Sequence, residues 1–77
     1  DALGRAGRKV ELALQRCALA RTGTPELLAN ALDAAADAVF ALSVQRELCG
    51  MRNQPAMIRQ YDIPRDVMAR VGITRKG

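Results

Sequence analysis

The sequence predicts an all-α fold: a long antiparallel helical hairpin with a short C-terminal helical segment packed back on helix two. Three observations carry this. Apolar residues Leu3, Val10 and Cys17 recur every seven positions near the N-terminus. A second long apolar stretch follows, and "RTGTPE" between the two reads as a helix stop and a helix start. The apolar content is Ala, Leu and Val, with Phe40 and Tyr61 the only aromatics, which suits close helix packing better than sheets.

Helix one is expected over about 2–21. Ala6, Ala13 and Ala20 repeat three residues after Leu3, Val10 and Cys17, giving an a/d-type seam that Leu14 widens. Arg5, Lys9 and Arg16 line one flank, and Leu12 and Leu19 form a smaller apolar strip beyond it. A helix with two apolar strips calls for more than one neighbour. Gly4 and Gly7 weaken the first turns, so fraying is expected there.

In the connection, Gly23 suits a left-handed helix stop, Thr24 an N-cap and Pro25 a first helical position. Glu26 sits where the helix dipole favours negative charge. Helix two is expected over about 25–50. Leu28, Leu32, Ala35, Val39, Leu42 and Cys49 make one stripe, with Ala31, Ala34, Ala38 and Ala41 beside it. The opposite side begins polar, with Glu26, Asn30, Asp33 and Asp37, and then turns apolar with Phe40, Val44, Leu48 and Met51. The C-terminal segment, about 55–72, is the expected cover for that second apolar strip. Within it "PAMIRQY" reads as a short helical turn and "DIPRDVMARVG" as a better-formed helix that Gly72 ends; 73–77 reads as a loose tail.

Seventy-seven residues make a single helical domain, 1–77. The chain begins at Asp1, as the ordered part of something slightly longer would. A core this small is marginal alone, and the apolar strips on both helices point to a two-fold homodimer built as a helical bundle. Asp33, Asp37, Gln45 and Arg46 interrupt the most apolar run, so no membrane span is expected, and a cytoplasmic location follows from that and from the thiols. Cys17 and Cys49 both fall at apolar helical positions and read as buried free thiols. The hairpin sets them roughly 30 Å apart, far beyond disulfide reach.

Histidine is absent, which removes Ser-His and Cys-His pairs, His-based zinc sites and the commonest general base. No catalytic residue, cofactor or metal ligand is assigned, and an enzyme is not expected. Asp33 and Asp37 share a helical face, but a carboxylate metal site needs further ligands. They read as a strip facing water or the basic flank of helix one. The net charge of +4 divides by segment: residues 1–21 carry +3, residues 22–49 −3 and residues 50–77 +4. The first two segments are expected to neutralise each other side by side.

Two sets of side chains remain as candidates. Gln45, Arg46 and Glu47 interrupt the apolar pattern of helix two, and on a helical wheel Arg46 falls on the core stripe between Val39, Leu42 and Cys49. A guanidinium there must find acceptors. The favoured reading is a polar latch, with helix one's start, Asp62, Asp66, a backbone carbonyl or a second protomer supplying the acceptor. The sharper reading is an anion or ligand pocket of Gln45, Arg46 and Arg52. The second set, Arg59, Arg65, Arg70, Arg75 and Lys76, would serve nucleic-acid binding. Those residues are scattered, few aromatics accompany them, and Asp62 and Asp66 dilute their charge.

"LDAAADAVFALSVQRELCGMRN" followed by "IRQYDIPRDVMARVG" resembles a family of small bacterial proteins of unknown function, across most of the chain. That resemblance implies no catalytic residues, cofactor or substrate. "YDIPRDVMARVG" alone is similar to a stretch of squalene and phytoene synthases. Those enzymes need aspartate-rich motifs and a far longer chain, so the likeness is local punctuation. The expected function is a non-catalytic protein–protein interaction or regulatory module acting as a homodimer with an unidentified protein partner. The alternative is a basic nucleic-acid-binding protein.

Overall fold

The first helix starts where Asp1 caps it: the carboxylate accepts the backbone N–H of Gly4, one of the donors a helix start leaves unpaired. In this computed structural model, residues 1–74 are described, Ile73 and Thr74 in their backbone only. Helix α1 spans Ala2–Ala20, α2 Pro25–Leu48, α3 Gln54–Tyr61 and α4 Arg65–Thr74. Helices α1 and α2 form the expected hairpin, and α3 and α4 fold back over one side of it, with α4 seated on α2.

Thr24 caps α2 as the sequence predicts, its hydroxyl accepting the Leu27 N–H at 3.2 Å with Pro25 in the first turn. Gly23 does not take the left-handed conformation expected of it; Gly50 is the one glycine with positive φ among the described residues. Helix α1 ends instead in a tight turn, with Gly23 N–H donating to Ala20 and the Thr22 hydroxyl to Leu19.

The other two helix ends share one device. Gly50, at φ 80°, follows the end of α2; its N–H donates to the Glu47 carbonyl at 3.0 Å and the Met51 N–H to Arg46 at 2.8 Å. Those paired bonds are a Schellman closure. Helix α3 closes the same way on Asp62, at φ 53°, with Ile63 N–H donating to Ile58 at 3.0 Å and Asp62 N–H to Arg59. Each closure turns the chain sharply, and together they fold the last third back on the hairpin.

The core joins all four helices. Ala6, Val10, Ala13 and Cys17 face Leu32, Ala35, Val39 and Leu42, and Met57, Ile63 and Val67 close the layer from above. The fraying expected at the first turns is not found. Gly7 is buried, and a Cβ there would overlap the Tyr61 hydroxyl, so this glycine is the contact that lets α3 sit against α1. "PAMIRQY" is more than a turn: with Gln54 it makes the eight-residue α3, capped by the Asn53 side chain on the Ala56 N–H at 3.1 Å. Gly72 does not end α4, which runs on to Thr74; of the expected loose tail, Arg75, Lys76 and Gly77 lie outside the described residues.

The C-terminal segment packs elsewhere than expected. Phe40, Val44, Leu48 and Met51 stay 37%, 41%, 76% and 41% exposed. The cover instead lies over Ala36, which is buried, and Ser43, whose hydroxyl donates to the Met57 sulfur at 3.7 Å. Small side chains on that flank let α3 and α4 approach the α2 backbone closely, where Phe40 and Val44 would hold them off. Two ion pairs fix α4: Arg70 to Asp33 at 2.6 Å, and Arg21 to Asp66 through both carboxylate oxygens at 2.9 and 3.1 Å. Asp33 is thus matched by α4 rather than by the basic flank of α1. Arg5, Lys9 and Arg16 on that flank make no side-chain ion pair among the described residues.

One expectation about membranes also changes. Helix α2, 24 residues long, is apolar enough over its length to cross a bilayer by length and composition alone. The central helix of a small bundle passes the same test, and the buried stripe of α2 serves the bundle here.

Candidate functional site

The sequence candidates around Arg46 are divided by the fold. Gln45 points to the far side of α2, into the shallow groove shared with Ala2, Arg5, Lys9 and Ala38 of the hairpin. Arg46 and Arg52 come together in a different place. They line a cleft of about 360 Å³ between the last turns of α2 and the start of α3, with Ser43, Glu47, Met51, Gln54 and Met57.

Arg46 is a buried residue, 7% exposed, as its place on the core stripe requires. Its Nη2 donates to the Asn53 carbonyl at 3.4 Å, in the loop between α2 and α3. Of the acceptors expected for it, the backbone carbonyl is the one found. Asp66 is engaged by Arg21, and the start of α1 meets Gln45. The bond is long for a guanidinium, and it ties the end of α2 to the residue that caps α3. No buried side-chain nitrogen or oxygen among the described residues lacks a partner. Nε and Nη1 of Arg46 make no bond within the chain and so are not fully buried, and Arg46 is among the residues that line the cleft.

The local charge is cationic. Arg46 and Arg52 face one carboxylate, Glu47, and neither guanidinium forms an ion pair with it. The first N–H of α3, on Gln54, has no acceptor within its own helix. Asn53 takes the next two available donors, through its side chain on Ala56 and its carbonyl on Met57. Met51 and Met57 give the cleft an apolar wall.

Beside the cleft runs the exposed apolar strip of Phe40, Val44 and Leu48 on α2, and Met51, beyond the end of that helix, is shared by strip and cleft. On α1, Leu12 and Leu19 are also exposed, at 43% and 77%, so the second neighbour their strip calls for is not supplied within the chain.

The thiols separate. Cys17 is buried, and its Sγ donates to the Ala31 carbonyl at 3.2 Å. Burial pushes its pKa up; the nearby Arg21 partly offsets this and Asp66 adds to it. Cys49 is exposed, which corrects the expectation of a second buried thiol. It sits at the C-cap of α2, where the chain has already begun to turn away from the core.

Three residues of the basic set lie among the described residues, and one of them is held in an ion pair. Arg59 and Arg65 are exposed on α3 and at the start of α4, Arg70 is drawn to Asp33, and Arg75 and Lys76 lie outside the described residues. Asp33 and Asp37 gain no third metal-ligating neighbour among the described residues.

Comparison with protein families matches residues 1–77 to a family of unknown function, DUF6665. The chain belongs to that family. No curated protein and no solved structure matches it. Membership in DUF6665 agrees with the resemblance read from the sequence and assigns no chemistry to the cleft or to the strip.

Proposed function

We propose that the chain is a non-catalytic protein–protein interaction or regulatory module, acting in the cytoplasm as a homodimer. The observation that carries this is the exposed apolar line of Phe40, Val44 and Leu48 on the outer face of α2, with Met51 just beyond the end of that helix. Their exposed area is on the order of 300–400 Å² per copy, the size at which a patch on a monomer is often an interaction site. A second copy is the simplest cover. An antiparallel crossing at Val44 would set Phe40 against Leu48 of the partner subunit. That area falls below the ~800 Å² each partner gives a stable complex, so the pairing is weak and concentration-dependent unless flanking residues join it.

Sedimentation velocity over a micromolar range tests the proposal. The wild-type chain should shift from monomer to dimer on concentrating, and Val44→Asp should remain monomeric with its helical circular dichroism intact. A folded wild-type chain that stays monomeric throughout would overturn the dimer. A salt-sensitive gel shift with DNA or RNA would instead favour the basic nucleic-acid-binding alternative.

A further inference from the structure

We propose that the cleft between α2 and α3 is a binding site for a small molecule carrying a phosphate or carboxylate group, held by Arg46 and Arg52. The argument starts from an imbalance. Arg46 lies on the core stripe and is 7% exposed, yet its one bond within the chain is a 3.4 Å contact to a neutral carbonyl. One long bond to a neutral carbonyl is weak pairing for a guanidinium on the core stripe, and the rest of its charge is left to solvent. An apolar residue such as Met would fill the position with no charge to pair. Nε and Nη1 make no bond within the chain, and Arg46 lines the cleft, where its charge and a free N–H can meet an anion's oxygen.

The surroundings agree. Arg52 lines the same cleft and makes no ion pair among the described residues. The Gln54 N–H, at the start of α3, adds a donor at the end of the helix that favours negative charge. Met51 and Met57 offer an apolar wall for the rest of the ligand, and a volume of about 360 Å³ suits a small metabolite rather than a chain. The site does not depend on dimerisation.

The test is a ¹H–¹⁵N NMR titration, including the arginine Nε–H region, with sodium phosphate in one arm and sodium succinate in the other. Ionic strength is held fixed with sodium chloride. The Gln54 amide and the Arg46 Nε–H should shift together and saturate in at least one arm, and the arm that saturates tells phosphate from carboxylate. Arg52→Gln, on an exposed residue that the fold does not need, should weaken that binding about tenfold. Arg46→Met should fold and lose the binding, while Arg16→Gln on α1 should bind as the wild type does. Absence of saturable shifts in both arms would overturn the proposal, as would unchanged affinity in Arg52→Gln or in folded Arg46→Met.

Discussion

Helix α2 carries two apolar lines, and the protein treats them oppositely. Leu32, Ala35, Val39 and Leu42 are at most 6% exposed, enclosed by α1 on one side and by α3 and α4 on the other. Phe40, Val44 and Leu48 run along the outer side of the same helix at 37%, 41% and 76%. Hydrophobicity does not separate the two lines. Their flanks do: the inner line is bordered by alanines and Ser43, over which other helices can lie close, and the outer line begins at the ion-paired Asp33. An apolar pattern says that a face needs cover, and the small residues beside it decide whether the chain can supply that cover itself.

The contrast is sharpest under truncation. Leu42→Ala removes a side chain that is 1% exposed and should cost about 2–5 kcal/mol, a large part of the roughly 4–12 kcal/mol expected for a chain this size. Leu48→Ala should leave the stability of the monomer within about 0.5 kcal/mol. Urea unfolding at low protein concentration measures both, and comparable losses would break the distinction.

A smaller effect tests how the inner line came to be enclosed. Gly7→Ala should cost about 1–2 kcal/mol, because the added methyl meets the Tyr61 hydroxyl, through which α3 is seated on α1. Tyr61→Phe in the same chain should restore more than half of the loss. If Gly7→Ala is stabilising, as helix propensity alone would have it, the close approach is not what holds α3 down.

The turn that redirects α4 over α2 rests on Asp62 in the left-handed region. Asp62→Gly should relieve that conformation and stabilise the fold by about 0.5–1 kcal/mol, read as a raised urea midpoint.

The smallest effect concerns the ion pair that holds α4 near the hairpin turn. Hydrogen bonds from Arg21 keep the Asp66 carboxyl below the ordinary carboxylate range; partial burial opposes this, and the Arg21 charge and nearby backbone N–H groups reinforce it. A depressed folded-state pKa contributes stability above the unfolded value and loses it as pH falls through the folded one. The pair is well exposed, so the contribution is slight and salt-sensitive. Urea midpoints of wild type and Asp66→Asn should differ a little at neutral pH and converge in acid.

Much of the fold was legible in the sequence because it is local. The hairpin, the Thr24 cap and the seam of Val10 and Cys17 all follow from spacing and turn chemistry within a few residues. Arg46 was legible as a buried guanidinium in need of an acceptor. Its acceptor, seven residues on in the next loop, was among those considered but depends on how that loop folds. The features that were not legible all depend on where the last third docks. Gly7 reads as a weak helix position until Tyr61 is placed against it. Asp33 reads as solvated until Arg70 arrives, and Cys49 reads as core until the chain turns at Gly50. Arg52 joins Arg46 in one cleft while Gln45, its sequence neighbour, is turned to the opposite side, because consecutive helical residues point about 100° apart.

The most direct test of the central claim is methyl NMR with a soluble paramagnetic agent, repeated from dilute to concentrated protein. The inner line closes within one chain; on the proposed reading, a second copy covers Val44 and Leu48. The Val39 and Leu42 methyls should then be shielded at every concentration. The Val44 and Leu48 methyls should be strongly broadened in dilute solution and become shielded as the protein is concentrated. Val44 and Leu48 shielded already in the dilute monomer, or equally broadened at all concentrations, would contradict it.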